Sequence, residues 1–78
     1  MNQQQWQKAL KEFQLDIGRQ LLERRQEQQI SLEQLQQACN IKLGRLKHIE
    51  QGHGRIKLGD LINIAAFYKK KIFFTLQD

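Results

Sequence analysis

Seventy-eight residues with a formal net charge of +5 allow one domain around a small core. A single cysteine, Cys39, excludes an intramolecular disulfide. No apolar run approaches a membrane span and the start, MNQQQWQKAL, lacks the apolar core of a signal peptide, so the reading is a cytoplasmic protein.

The charge is placed unevenly. Lys8, Lys11, Arg19, Arg24 and Arg25 are cancelled by Glu12, Asp16, Glu23, Glu27 and Glu33. From Lys42 onward, only Glu50, Asp60 and Asp78 oppose the remaining bases, and the whole excess of +5 lies there. Such asymmetry favours a polyanionic partner. The plain alternative is a solvated charged surface.

Trp6, Leu10, Phe13, Ile17 and Leu21 recur at helical spacing. They predict one long helix, or two helices bent near Gly18. The glutamines at 3–5 and 26–29 read as helix surface. The half from Ile17 to Gln28 is expected to be the first helix of the main domain, with Leu21 and Leu22 inward and Arg24 or Arg25 outward. The preceding half is extra. Its Trp6, Leu10 and Phe13 need cover, within the subunit or across a dimer.

Ser31 and Gln34 have the spacing of a capping box, and Ile30 and Leu35 that of a hydrophobic staple. Leu35 and Cys39 share a face of the helix so started. Asn40 suits the left-handed residue that ends it. A second amphipathic run carries Leu46 and Ile49 inward, and Gly52 is its natural stop. Two short helices joined by a tight turn form a helix-turn-helix, with Leu35, Cys39, Ile41, Leu46 and Ile49 buried between them. The second helix turns Lys42, Arg45, Lys47 and His48 outward, with no acid among the four. A helix with such a face fits the major groove of DNA. The plain alternative is a helical hairpin.

The loop GHGRIK offers Arg55 and Lys57 to phosphates, or is a basic connector. Leu58, Leu61, Ile62, Ala65 and Tyr68 predict a core helix, with Asp60 in its first turn favourable to the helix dipole. In the last residues, Ile72, Phe74 and Leu76 alternate with Phe73, Thr75 and Gln77. That alternation predicts a strand. A lone strand would pair with its copy in a second molecule. The alternatives are a fifth helix or a tail pressed on the core.

The runs LLERRQEQQISLEQL, NI, LKHIEQGHGR and LGDLINIAAFY resemble the Cro/repressor-type helix-turn-helix family, also called XRE, over roughly residues 17–69. The tail resembles that of HipB-type antitoxins, whose C-terminal strand pairs between subunits. The resemblance implies an all-α, lambda-repressor-like domain of four to five helices with a C-terminal strand. It implies a regulator that binds operator DNA as a homodimer, with the helix at 42–51 in the groove. The expected organisation is a helical extension at 1–16, the helix-turn-helix domain at 17–69 and a dimerisation strand at 70–78. By position, DNA contacts fall to Ser31, Leu32, Lys42, Leu43, Arg45, Lys47, His48, Gln51, His53, Arg55 and Lys57. The dimer interface falls to Ile72, Phe73, Phe74 and Leu76. The chain departs from the family at Gln36, where a small alanine is usual, at Lys42, where Ser or Thr caps, and at Ile56, which replaces a loop proline. Leu43 and Gly44 replace polar residues that commonly read bases.

Three functional classes remain. The first is a DNA-binding regulator, a repressor or, more narrowly, an antitoxin with a cognate toxin as partner. The second is a protein-interaction module on the same fold. The third, an enzyme, is weakest: no phosphate loop is present, and His48 and His53 lack a third ligand nearby. No cofactor, metal or small-molecule substrate is expected.

Overall fold

In the computed structural model, residues 3–76 are described; Gln77 and Asp78, the end of the expected strand, lie outside them, as do Met1 and Asn2. Four helices follow in order: α1 (Gln3–Glu27), α2 (Leu32–Cys39), α3 (Leu43–Gln51) and α4 (Leu58–Phe67). The longest dimension of the molecule, 40 Å, is close to the ~37 Å expected of 25 helical residues.

The helix ends follow from local chemistry. Ser31 Oγ accepts from the Gln34 amide at 3.1 Å, and Gln34 Oε1 accepts from the Ser31 amide at 2.8 Å. The capping box is complete, as its spacing predicts. Asn40 closes α2 at φ 55°, and Gly52 closes α3 at φ 72°. Two further left-handed residues, Gln29 at φ 55° and Lys69 at φ 59°, close α1 and α4. There the Ile30 amide donates to Arg25 O, and the Lys70 amide to Ala65 O. These are the long bonds of Schellman motifs, which satisfy the terminal carbonyls of both helices.

The core holds Leu21, Leu35, Cys39, Ile41, Leu46, Ile49, Leu61, Ile64 and Tyr68. All five residues expected between the two short helices are buried. Burial raises the pKa of the Cys39 thiol. Asn63 Nδ2 donates to Cys39 O at 2.8 Å and fastens α4 to the end of α2.

α1 is one continuous helix through Gly18, not two bent ones. Gly18 serves close approach: a Cβ there would lie 2.3 Å from Ile49 O. Gly52 serves a turn and an approach together, since its Cβ would lie 2.8 Å from Leu15 Cα. Gln14, 8% exposed, donates from Nε2 to Gly54 O at 2.6 Å. Residues 14 and 15, on the extension side of the expected boundary, therefore hold the loop after α3.

One expectation about the core needs correction. Leu58 and Ile62 are half exposed, because the inward face of α4 is Leu61, Ile64, Ala65 and Tyr68. Of Arg24 and Arg25, either of which could turn outward, Arg24 is exposed and Arg25 points inward onto Glu50.

Residues 70–76 carry no regular secondary structure, and the described residues contain no strand. A strand needs a hydrogen-bonded partner strand, and the chain has only one such segment. Ile72 packs on the core. Phe74 meets Phe13 with ring centroids 5.8 Å apart. Phe73, Phe74 and Leu76 stay exposed. Trp6, Leu10 and Phe13 also remain partly exposed within the single chain.

The Tyr68 hydroxyl is buried without a hydrogen-bond partner among the described residues. Burial, aided by the Glu50 carboxylate, pushes its pKa from 10.0 up to about 12. A raised phenol pKa favours the fold fully below pH 10, and that contribution disappears as pH climbs through 12. Two units correspond to about 3 kcal/mol. Chemical denaturation should therefore show a stability loss between pH 10 and 12 that is absent in Tyr68→Phe. At pH 7 the variant should match the parent or gain up to ~1 kcal/mol, because no bond is lost. A loss above ~2 kcal/mol at pH 7 would reveal a hydrogen bond that the hydroxyl does make.

Candidate nucleic-acid interface

α3 is fixed on its inner side by Leu46 and Ile49, which are 1% and 3% exposed. At about 100° per residue, Gly44, Lys47, His48 and Gln51 stand opposite those two. All four are exposed. Nothing lies within 4 Å of a Cβ built on Gly44, so this outer face is open there. Glu50 lies on the flank toward α1, and Arg45 on the flank toward α4.

Glu50 is fully engaged. Arg25 Nε donates to its Oε2 at 2.7 Å and Arg25 Nη2 to its Oε1 at 3.0 Å, while Arg25 Nη1 reaches Ile30 O at 3.0 Å. The hydrogen bond to Glu50 raises the Arg25 pKa further, against the opposing effect of burial. This ion pair removes the one acid of α3 from its outer face. It also ties α3 to α1 and to the turn before α2.

Arg45 is not free. Its Nη2 donates to Asp60 Oδ2 in the first turn of α4. From sequence, Asp60 has only a helix-dipole role. The pairing was hidden because it joins residues on two helices across the loop. By contrast Lys42, Lys47 and His48 are exposed and make no side-chain hydrogen bond or ion pair among the described residues.

The other expected contact residues divide by exposure. Ser31 is exposed, with its hydroxyl occupied in the cap. Leu32 is half-buried and packs on the core. Leu43 is half-buried in the first turn of α3. Lys42 stands at the N-cap of α3 and Lys57 at that of α4, neither with a side-chain capping bond. His53, Arg55 and Lys57 are exposed along the loop that Gln14 fastens. Thus the turn before α3, its outer face and the following loop expose Lys42, Lys47, His48, Arg55 and Lys57 without a side-chain acid partner among the described residues.

Two short helices at this spacing, one sealed inward and basic outward, define a helix-turn-helix DNA-binding module. A helix-turn-helix family model matches residues 21–74, well over half of the chain. The chain belongs to the Cro/repressor-type, or XRE, helix-turn-helix family, and is a DNA-binding regulator of that type. Comparison with curated proteins and with solved structures gave no match.

Proposed function

We propose that the protein is a homodimeric repressor that binds operator DNA through α3. One observation carries this reading: Lys47 and His48 project from the outer face of α3, away from the buried Leu46 and Ile49, with no side-chain partner among the described residues. In this arrangement Lys47, His48 and Gln51 approach base edges. Lys42, His53, Arg55 and Lys57 bind phosphates, and Ser31, Leu32 and Leu43 line the approach. Lysine or arginine on guanine and apolar contact with a thymine methyl are the matching base contacts. Occupying a promoter would then repress it. A regulator of this kind works in the cytoplasm, beside the DNA, and needs no catalytic group.

Dimerisation is supported by apolar area. Trp6, Leu10, Phe13, Phe73, Phe74 and Leu76 are between 37% and 101% exposed. Together they present on the order of 700 Å², taking ~200 Å² for a whole large side chain. That approaches the ~800 Å² each partner contributes to a standard interface. The Phe13–Phe74 contact joins the tail to the start of α1, so both belong to one surface. Strand pairing through Ile72, Phe73, Phe74 and Leu76 would add backbone bonds. The narrower antitoxin reading seats a toxin on whatever part of this apolar surface the dimer leaves uncovered.

The test is a fluorescence titration of duplex from upstream of the gene across a salt series, with molar mass measured by light scattering. The expected result is a dimer whose affinity falls steeply with salt, and a Lys47→Glu chain that binds at least about tenfold more weakly. Absent binding at low salt, or binding indifferent to salt, refutes the DNA reading. A monomer at micromolar concentration refutes the dimer.

A further inference from the structure

We propose that Asp60 sets the specificity of this interface by holding Arg45. The carboxylate cancels the guanidinium's attraction for phosphate and fixes the side chain in one orientation for a base edge. This inference rests on the DNA-binding reading above.

The geometry is asymmetric. The Asp60 side chain is 17% exposed and that of Arg45 is 43% exposed. The acid is anchored in the first turn of α4, where the helix start favours its charge. Arg45 extends from the flank of α3 to meet it. Only Nη2 is engaged, by Oδ2 of Asp60. Nε and Nη1 have no hydrogen-bond partner among the described residues. Four of the five guanidinium N–H groups remain free, and the second N–H of Nη2 with its neighbour on Nε or Nη1 still makes the paired donor set that reads O6 and N7 of guanine.

The consequence concerns charge. An unpaired arginine displaces about one counterion from the duplex and strengthens binding to any sequence. Paired with Asp60, Arg45 contributes almost no net charge. It therefore adds little to indiscriminate binding, while its donors still distinguish bases. Lys42, Arg55 and Lys57, which lack an acid partner among the described residues, supply the sequence-independent attraction. Asp60 is thus a positioning residue, acting on DNA through Arg45.

The test uses the full chain with Asp60→Asn, which keeps the side-chain shape and removes the charge. Asp60→Ser is the second variant, and circular dichroism checks that each is folded. Binding to a short random-sequence duplex and to the gene's own upstream duplex is measured across a salt series. Affinity for the random duplex is expected to rise about tenfold, with a salt slope steeper by about one. The ratio between the two duplexes should fall. In an Arg45→Ala chain, Asp60→Asn should produce less than half that rise in log affinity. An equal rise with and without Arg45 would show that Asp60 merely repels DNA, and would overturn the proposal. So would an Asp60→Asn chain whose slope and ratio match those of a parent that binds DNA. A parent chain that binds neither duplex at low salt refutes the DNA reading itself, and this inference with it.

Discussion

Gly18→Ala is expected to destabilise the fold by about 3–5 kcal/mol, most of what a domain of this size possesses. The added Cβ would stand 2.3 Å from Ile49 O and 3.0 Å from Glu50 O. Both obstacles are backbone, so no side chain can rotate away. α3 would have to withdraw from α1. That movement would strain the Arg25–Glu50 pair and the approach of Gly52 to Leu15. Alanine's greater helix propensity, worth about 1 kcal/mol over glycine, acts in the opposite direction and is outweighed. Gly44→Ala and Gly59→Ala provide the contrast, because nothing lies within 4 Å of either Cβ. Urea denaturation followed by circular dichroism should rank Gly18→Ala far below the parent and the two controls level with it or above. A Gly18→Ala chain as stable as Gly44→Ala would mean that the helices do not cross this closely. The effect reaches function, since the same crossing sets the angle at which α3 presents Lys47 and His48.

Glu50→Ala should cost about 3–5 kcal/mol by leaving Arg25 desolvated and unpaired. The Glu50 and Arg25 side chains are 8% and 17% exposed, far from the exposure of the pairs Arg19 makes with Asp16 and Glu23. Those exposed pairs are screened by solvent, and removing one should scarcely alter the denaturation midpoint. The asymmetry between breaking the buried pair and replacing it is a stricter check. Replacing both partners, as Arg25→Met with Glu50→Leu, should restore most of the loss, because no buried charge is then orphaned. Equal losses for the single and double variants would instead point to the geometry of Arg25, whose Nη1 also binds Ile30 O. A loss below ~1 kcal/mol for Glu50→Ala would show that Arg25 reaches water in the folded chain.

Much of the candidate site was legible before any coordinates. The acid-free set Lys42, Arg45, Lys47 and His48 could be read from sequence, and three of the four make no side-chain pair among the described residues. Arg45 could not be read this way, because its partner Asp60 comes from α4. Leu58 and Ile62 show a similar limit. Their spacing allowed a core stripe, but α4 packs by Leu61, Ile64, Ala65 and Tyr68, and the other two turn outward. Gln29 and Lys69 gave no warning of left-handed turns, since neither residue type favours that conformation.

The sequence alone determined what depends on neighbours three or four residues apart. The Ser31–Gln34 box, the ends at Asn40 and Gly52, and the buried set from Leu35 to Ile49 are of this kind. Each is decided by backbone geometry within one turn, so the order of residues suffices. Tertiary structure decided what depends on how whole helices cross. It made Gly18 a crossing point instead of a bend, turned Arg25 inward to Glu50, and joined Arg45 to Asp60. Such partners lie 15 to 31 residues apart along the chain. No periodicity encodes them, because their distances are set by packing the core as a unit.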